Sequence, residues 1–241
     1  MLCESTMKNV IDAVLFDVDE TLFDRESAQH MVLDVIVRRL PELFNGIDME
    51  SITAAFIESD VITTKEFDEG APGEGLRDRR SGIFLSLLGL PEECTPTITE
   101  MYVSEYPKVK AEVSGAVATV TELAKTFKVG VVSNSFADVQ YRKLEALGLR
   151  PQLSCIMLSD EIGVRKPDPL IFTQAASLLE VEPSACLYVG DSYANDVIGA
   201  RNAGMLACWF NPDNKKPESL ITQPDFIIKK LEELINLCRP D

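Results

Sequence analysis

Histidine is almost missing from this chain: His30 is the only one among 241 residues. A Ser-His-Asp triad or a polyhistidine metal site would have to be built around that one side chain, so carboxylates must carry any acid, base or metal chemistry. His30 itself falls in a stretch with helical spacing and reads as a partly buried helix residue. Cysteine pairs are lacking too. Cys3, Cys94, Cys155, Cys186, Cys208 and Cys238 show no CxxC spacing, and most lie in or beside apolar runs, which reads as reduced, mostly buried thiols. No run approaches the roughly 18 uncharged apolar residues of a membrane span. The first residues, MLCESTMKNVIDAV, carry Glu4 and Asp12 where a secretory signal needs unbroken apolar sequence, which points to the cytoplasm. Positive charge is scarce, with 23 Lys and Arg against 39 Asp and Glu and a net charge of −16. That balance argues against nucleic acid or an anionic membrane as partner, since both need a cationic surface. A small anionic substrate stays open, because a bound cation and a lysine or two can set the potential inside a cleft.

What the chain does have is a change of period. Residues 10 to 16 form a short apolar run that ends abruptly in charge, as a buried strand of a parallel sheet does. Four helices are then expected, from about Glu26 to Phe44, Met49 to Thr64, Gly75 to Leu88 and Pro91 to Tyr106. After Pro107 strands and helices alternate. Strands are expected at 128–133, 153–158, 185–189, 205–210 and near Phe226, and helices at 115–127, 136–147, 168–180, 194–203 and 229–238. Such alternation implies right-handed crossovers and an α/β fold with a doubly wound, Rossmann-like parallel sheet. The helical block is an insertion, so residues 1–22 and 107–241 are expected to form the core and 23–106 a helical bundle.

Ligands of such sheets bind at the carboxyl ends of the strands. The first strand ends in DVDET with Asp17 and Asp19; the second ends in VVSNS with Ser133 and Asn134; YVGDS delivers Asp191, with Asp196 following; and Lys166 lies in GVRKPDP after the third strand. Together these segments resemble the haloacid dehalogenase (HAD) superfamily of phosphohydrolases, whose four motifs they match in order, and the helical block resembles the family's inserted helical cap. Read alone, Asp191 fits a helix N-cap as well as a ligand, and Ser133 and Lys166 carry little.

The resemblance implies a phosphomonoester hydrolase acting on a small phosphorylated metabolite, a monomer or homodimer. Asp17 would be the nucleophile that takes the phosphoryl group. Asp19 would protonate the leaving oxygen and later deprotonate water, its two-residue spacing placing it on the same side as Asp17. Asp17, the Asp19 carbonyl, Asp191 and Asp196 would hold Mg²⁺. Lys166, Ser133 and Asn134 would bind the phosphoryl oxygens. The family's dehalogenases lack an acid at the second position, so Asp19 counts against dehalogenation; a sugar phosphomutase would use the same acids, and a silent phosphate-binding module would not need all of them. Glu20 reads as solvated and Asp24 as a cap or hinge residue. In the bundle, Arg80 falls in the middle of an apolar stripe on one predicted helix, with Arg77 at its side, where they either pair with acids or bind a second anionic group of the substrate.

Overall fold

Six short apolar segments pair into one parallel sheet: β1 Ala13–Phe16, β2 Lys128–Ser133, β3 Cys155–Leu158, β4 Cys186–Gly190, β5 Leu206–Phe210 and β6 Phe226–Ile228. The structure, a computed structural model, describes residues 11–217 and 222–239. Val10 and Cys3, both part of the sequence reading, lie outside the described residues. The strand order is 3-2-1-4-5-6, so the winding reverses at β1 and β4, which pair in register from Ala13 with Cys186 to Phe16 with Val189. That reversal sets the carboxyl ends of β1 and β4 side by side, the place where ligands of such sheets bind. All residues of β1, β4 and β5 are buried, as strands covered by helices on both faces require.

The chain divides into two units, one holding the residues up to Asp24 and those from Ala111 onward, the other Arg25–Lys110. The second contains α1 Arg25–Arg39, α2 Met49–Asp68, α3 Leu76–Leu87 and α4 Thr95–Glu105. The first adds α5 Ala116–Leu123, α6 Ala137–Ala146, the single turn α7 Ser159–Ile162, α8 Pro169–Leu178, α9 Ile198–Asn202 and α10 Glu233–Cys238. Several ends differ from the sequence reading. Helix α1 stops at Arg39 rather than Phe44, because Pro41 follows and the residue before a proline is pushed out of the helical region. Helix α2 runs a turn beyond Thr64. The segment from Pro91 opens as a 3₁₀ turn before α4 begins at Thr95. His30 is exposed, not partly buried.

Packing in the sheet unit centres on α8, whose Ile171, Phe172, Ala175 and Ala176 meet Tyr188, Val197 and Ala200 in one buried cluster. Helix α8 starts where the sequence says it should: Asp168 caps it by accepting from the Leu170 N–H at 2.9 Å, and Pro169 occupies the first turn, where no N–H is needed. In the helical unit the core is aromatic, with Phe56 stacked on Tyr102 and Tyr102 on Tyr106 at centroid distances of 5.1 and 4.9 Å. Offset ring packing of this kind adds about 0.5–1.5 kcal/mol per pair beyond area burial.

Candidate active site

The chain leaves β1 at Asp17, whose N–H donates to the Val189 carbonyl at 2.8 Å and so extends the β1–β4 ladder by one residue. The next residues fold into a tight loop. The Val18 carbonyl accepts from the N–H groups of Thr21, Leu22 and Phe23, and Glu20 sits in the left-handed region at φ 59° with its side chain exposed, as expected of it. This fixed turn presents Asp17 and Asp19 together at the strand end.

Lys166 ties the acids to one another. Its Nζ donates to Asp17 Oδ1 at 2.6 Å, to Asp196 Oδ1 at 2.7 Å and to the Tyr188 hydroxyl at 3.0 Å, while Tyr188 donates in turn to the Val132 carbonyl at 2.9 Å. Every group in this network is buried. Asp196 is brought in by a close approach: a Cβ on Gly190 would lie 2.3 Å from its Oδ2, and that oxygen also accepts from the Ser192 N–H at 2.9 Å. Asp191 is steadied from behind, its carbonyl accepting from the Trp209 indole at 2.8 Å. The cap of the helical segment that follows is Ser192, which accepts from the Asn195 N–H, so Asp191 is not needed as an N-cap.

Three carboxylates face one ammonium here, and the electrostatics record the mismatch. Burial pushes the Asp17 carboxyl up from 3.8 to about 7 against the pull of Lys166, with Asp196 and Asp19 adding repulsion. Burial likewise pushes Asp191 up to about 8, with repulsion from Asp196 and Asp17. For Lys166, burial works against the charged form, but Asp17 and Asp196 outweigh it and hold the ammonium well above the ordinary lysine value. One oxygen each of Asp17, Asp191 and Asp196 lie within 4.8 Å of one another. Hard oxygen donors at this density, with two acids poorly charged as they stand, match the needs of a small divalent cation.

At the second strand end both polar side chains have partners within the sheet unit. Ser133 is buried at the end of β2, and its Oγ accepts from Gln140 Nε2 at 2.9 Å. The Asn134 side chain clamps the Lys166 backbone, its Nδ2 donating to the Lys166 carbonyl and its Oδ1 accepting from the Lys166 N–H, both at 2.9 Å. That side chain therefore sets the Lys166 loop. Two residues of α6 that the sequence reading passed over, Gln140 and Lys143, reach Asp19: Lys143 Nζ donates to Oδ1 at 2.6 Å and Gln140 Nε2 to Oδ2 at 3.3 Å. A signal for them was present. Val139, Gln140, Lys143 and Leu144 share the buried stripe of α6, and two polar side chains on a core-facing stripe need partners.

In the helical unit, Arg80 is tied internally. It pairs with Asp60 at 3.1 Å, both side chains being 13% exposed, and its guanidinium lies 4.0 Å from the centroid of Tyr102 and 5.0 Å from that of Phe56. Asp60 also accepts from Arg25 and Gln29; burial raises its carboxyl, but the two arginines outweigh it and hold the acid below the ordinary aspartate value. Arg77, a neighbour on α3, is half-buried.

Residues 11–204 match the model of the haloacid dehalogenase-like hydrolase family. The chain belongs to that family. Similarity to individual relatives extends beyond the matched segment. The pyrimidine 5′-nucleotidase YjjG of Escherichia coli is 28% identical over 234 residues, covering 94% of this chain and 97% of the relative. A glyceraldehyde 3-phosphate phosphatase of Methanopyrus kandleri is 29% identical over 238 residues, covering 95% and 98%. Among solved structures, the HAD-hydrolase YfnB of Bacillus subtilis, in a form bound to magnesium, superposes with a TM-score of 0.83 at 25% identity, covering 96% of this chain and all of that one. A 2-haloacid dehalogenase shares the HAD fold as well. Among the described residues no helix is long and apolar enough to cross a membrane.

Proposed function

We propose that this HAD hydrolase is a Mg²⁺-dependent phosphatase that cleaves the monoester of a small phosphorylated metabolite, with the phosphoryl group carried on Asp17 between two steps. The observation that carries the reading is the pairing of two acids in different settings on one turn. Asp17 is buried against Lys166, whereas Asp19 is partly open and held by groups of its own. A halide leaves without a proton, but an alkoxide needs one, so a second acid beside the nucleophile favours ester hydrolysis over dehalogenation.

In the first step an Asp17 oxygen attacks phosphorus, the P–O bond to the substrate breaks, and Asp19 gives its proton to the departing oxygen. In the second, water attacks the acyl phosphate, Asp19 takes a proton from it, and inorganic phosphate leaves with the Asp17 carboxylate restored. Lys166 stays charged throughout and offsets negative charge on the transferring group, while the Ser133 hydroxyl and the backbone N–H groups of the Asp17–Asp19 turn and of Asn134 serve as donors to the phosphoryl oxygens. Asp17, Asp191, Asp196 and the Asp19 carbonyl would hold Mg²⁺, which when bound neutralises charge on the phosphoryl oxygens as a Lewis acid. The helical unit carries substrate choice in this reading. Arg77 and Arg80 are the candidates there for a second anionic group, with the Arg80 charge already met in part by Asp60. The buried thiols fit a reducing cytoplasm.

The test is a phosphate-release screen of the purified protein with nucleoside monophosphates, triose phosphates, hexose phosphates and phosphorylated amino acids. Release from at least one ester with Mg²⁺, lost in EDTA and regained with excess Mg²⁺, is expected. No release across the panel, or full activity in chelator, contradicts the reading.

Metal binding is also expected to be visible without turnover. Asp17 and Asp191 bind protons more tightly when folded than when unfolded, so without a cation their contribution to stability is fully present below about pH 4 and is lost as pH rises through about 7 to 8. A cation that takes the place of those protons stabilises most where they are already gone. At about 100 times its dissociation constant it adds roughly 2.7 kcal/mol, or about 5–10 °C in Tm for a chain of this size. Scanning calorimetry should show a larger Mg²⁺-induced rise at about pH 8.5 than at about pH 6. An equal rise at both contradicts the ligand set.

A further inference from the structure

Helix α6 directs two side chains at the acid of the loop after β1. Lys143 is 2% exposed, yet its ammonium lies in the sheet unit with the Asp19 carboxylate at 2.6 Å and the Phe23 ring centroid at 4.7 Å. Gln140 is fully buried, and its amide is used at both ends: Oε1 accepts from the Ser135 hydroxyl at 3.2 Å, and Nε2 donates to Ser133 Oγ at 2.9 Å and to Asp19 Oδ2 at 3.3 Å. Each Asp19 oxygen therefore has its own donor, both from one face of one helix and three residues apart, the spacing at which helical side chains stand side by side.

Burying a lysine is costly unless its charge is met. A helix that needed only to pack on the sheet would carry apolar residues at 140 and 143, as it does at Val139 and Leu144. We propose that Lys143 and Gln140 are positioning residues that fix the Asp19 carboxylate in the orientation from which it serves both proton transfers; this rests on the phosphatase reading above. Asp19 is the more exposed of the two acids on its turn, with a side chain 21% accessible against 11% for Asp17. Losing the α6 pair widens the range of orientations the carboxylate samples, so the fraction of time in reach of the departing oxygen falls. Gln140 adds a second link: it holds the Ser133 hydroxyl and the Asp19 carboxylate through one amide nitrogen, so the phosphoryl donor at the end of β2 and the proton-transfer group at the end of β1 are set relative to each other.

A positioning role has a signature that a purely structural one lacks, because it acts only through Asp19. Lys143→Met should lower kcat on an alkyl phosphate by about 10- to 100-fold, the range expected of a misplaced catalytic group, with KM changed less than about threefold. An activated ester such as p-nitrophenyl phosphate, whose leaving group needs little protonation, should lose less. The decisive arm is a double-mutant cycle. In an Asp19→Asn background, where the side chain keeps an acceptor for Lys143 but no longer transfers protons, Lys143→Met should have no further effect on kcat. Lys143→Gln, which keeps a polar end in the same place, is carried through the same cycle in case the methionine variant does not fold. Additive losses, with Lys143 substitution lowering kcat equally with Asp19 present or replaced, overturn the proposal. If the unmodified protein releases phosphate and the cycle is additive, the positioning role alone has failed. If the unmodified protein hydrolyses no phosphate ester, the phosphatase reading has failed first and the positioning role falls with it.

Discussion

Asp17→Asn is expected to bring phosphate-ester turnover to background while leaving the protein folded as well as before, or better. The amide cannot form the acyl phosphate, and loss of a covalent nucleophile costs on the order of 10⁴-fold or more in kcat. Stability should not follow activity down. Asp17 is a buried acid held up to about 7 by its surroundings, so at neutral pH and above the fold bears an ionised group in a poor setting. Replacing it removes repulsion toward Asp196 and Asp191, and Lys166 keeps Asp196 at 2.7 Å and Tyr188 at 3.0 Å as partners. A Tm equal to or above that of the unmodified protein, measured without Mg²⁺ at about pH 8, accompanies the lost activity. Turnover above about a tenth of the original level contradicts the nucleophile assignment.

Lys166→Met should damage both activity and fold, and Mg²⁺ should repair only one of them. Removing one partner of a buried ion pair costs about 3–5 kcal/mol, and here one ammonium serves two carboxylates and a tyrosine hydroxyl. The loss depends on pH with a definite sign. Without the ammonium, Asp17 is held higher still above 3.8, so protons replace the missing charge in acid and leave as pH rises. The Tm deficit is therefore smallest near pH 5 and grows toward pH 8. Mg²⁺ bound by the same acids should recover much of the deficit at pH 8. Turnover should stay down by about 10²–10³-fold, the cost of losing one fixed donor to the transferring group. Thermal melts and kinetics at the two pH values, each with and without Mg²⁺, check this. An unchanged Tm at pH 8, or activity recovered with the metal, contradicts the role given to Lys166.

The strand ends were legible because parallel strands covered on both faces must be apolar along their length, so the first polar residue after each run marks the place where the chain emerges. Asp17, Ser133 and Asp191 could be found that way, and Lys166 from the loop it shares with the Asp168 cap. The wrong or incomplete readings have local causes. The apolar spacing of α1 continues to Phe44, so periodicity alone carries the helix through Pro41, though the proline ends it first. Read alone, Asp191 divides between cap and ligand because Asp and the following Ser are both good caps, and the resemblance decides for the ligand; the turn geometry gives the capping to Ser192. The expected donor at Asn134 is its backbone N–H, and nothing in VVSNS reveals that its side chain clamps the Lys166 backbone, 32 residues away. Lys143 and Asp19 are 124 residues apart. Their meeting depends on β2 lying beside β1 and on the angle at which α6 leaves it, and periodicity within α6 says only that Lys143 faces inward, not what it meets.

The central claim is that Asp17 carries the phosphoryl group and Asp19 moves the protons. Asp19→Asn separates the two tasks, since it leaves the nucleophile in place and removes the group that activates water for the second step. When this variant is mixed with p-nitrophenyl phosphate and Mg²⁺ and quenched in acid, mass spectrometry should find a covalent adduct of about 80 Da, the mass of a metaphosphate group. It should map to the peptide containing Asp17, form faster than steady-state turnover, and be absent from the Asp17→Asn/Asp19→Asn double variant. An adduct on another residue, or none while phosphate is still released, contradicts the account.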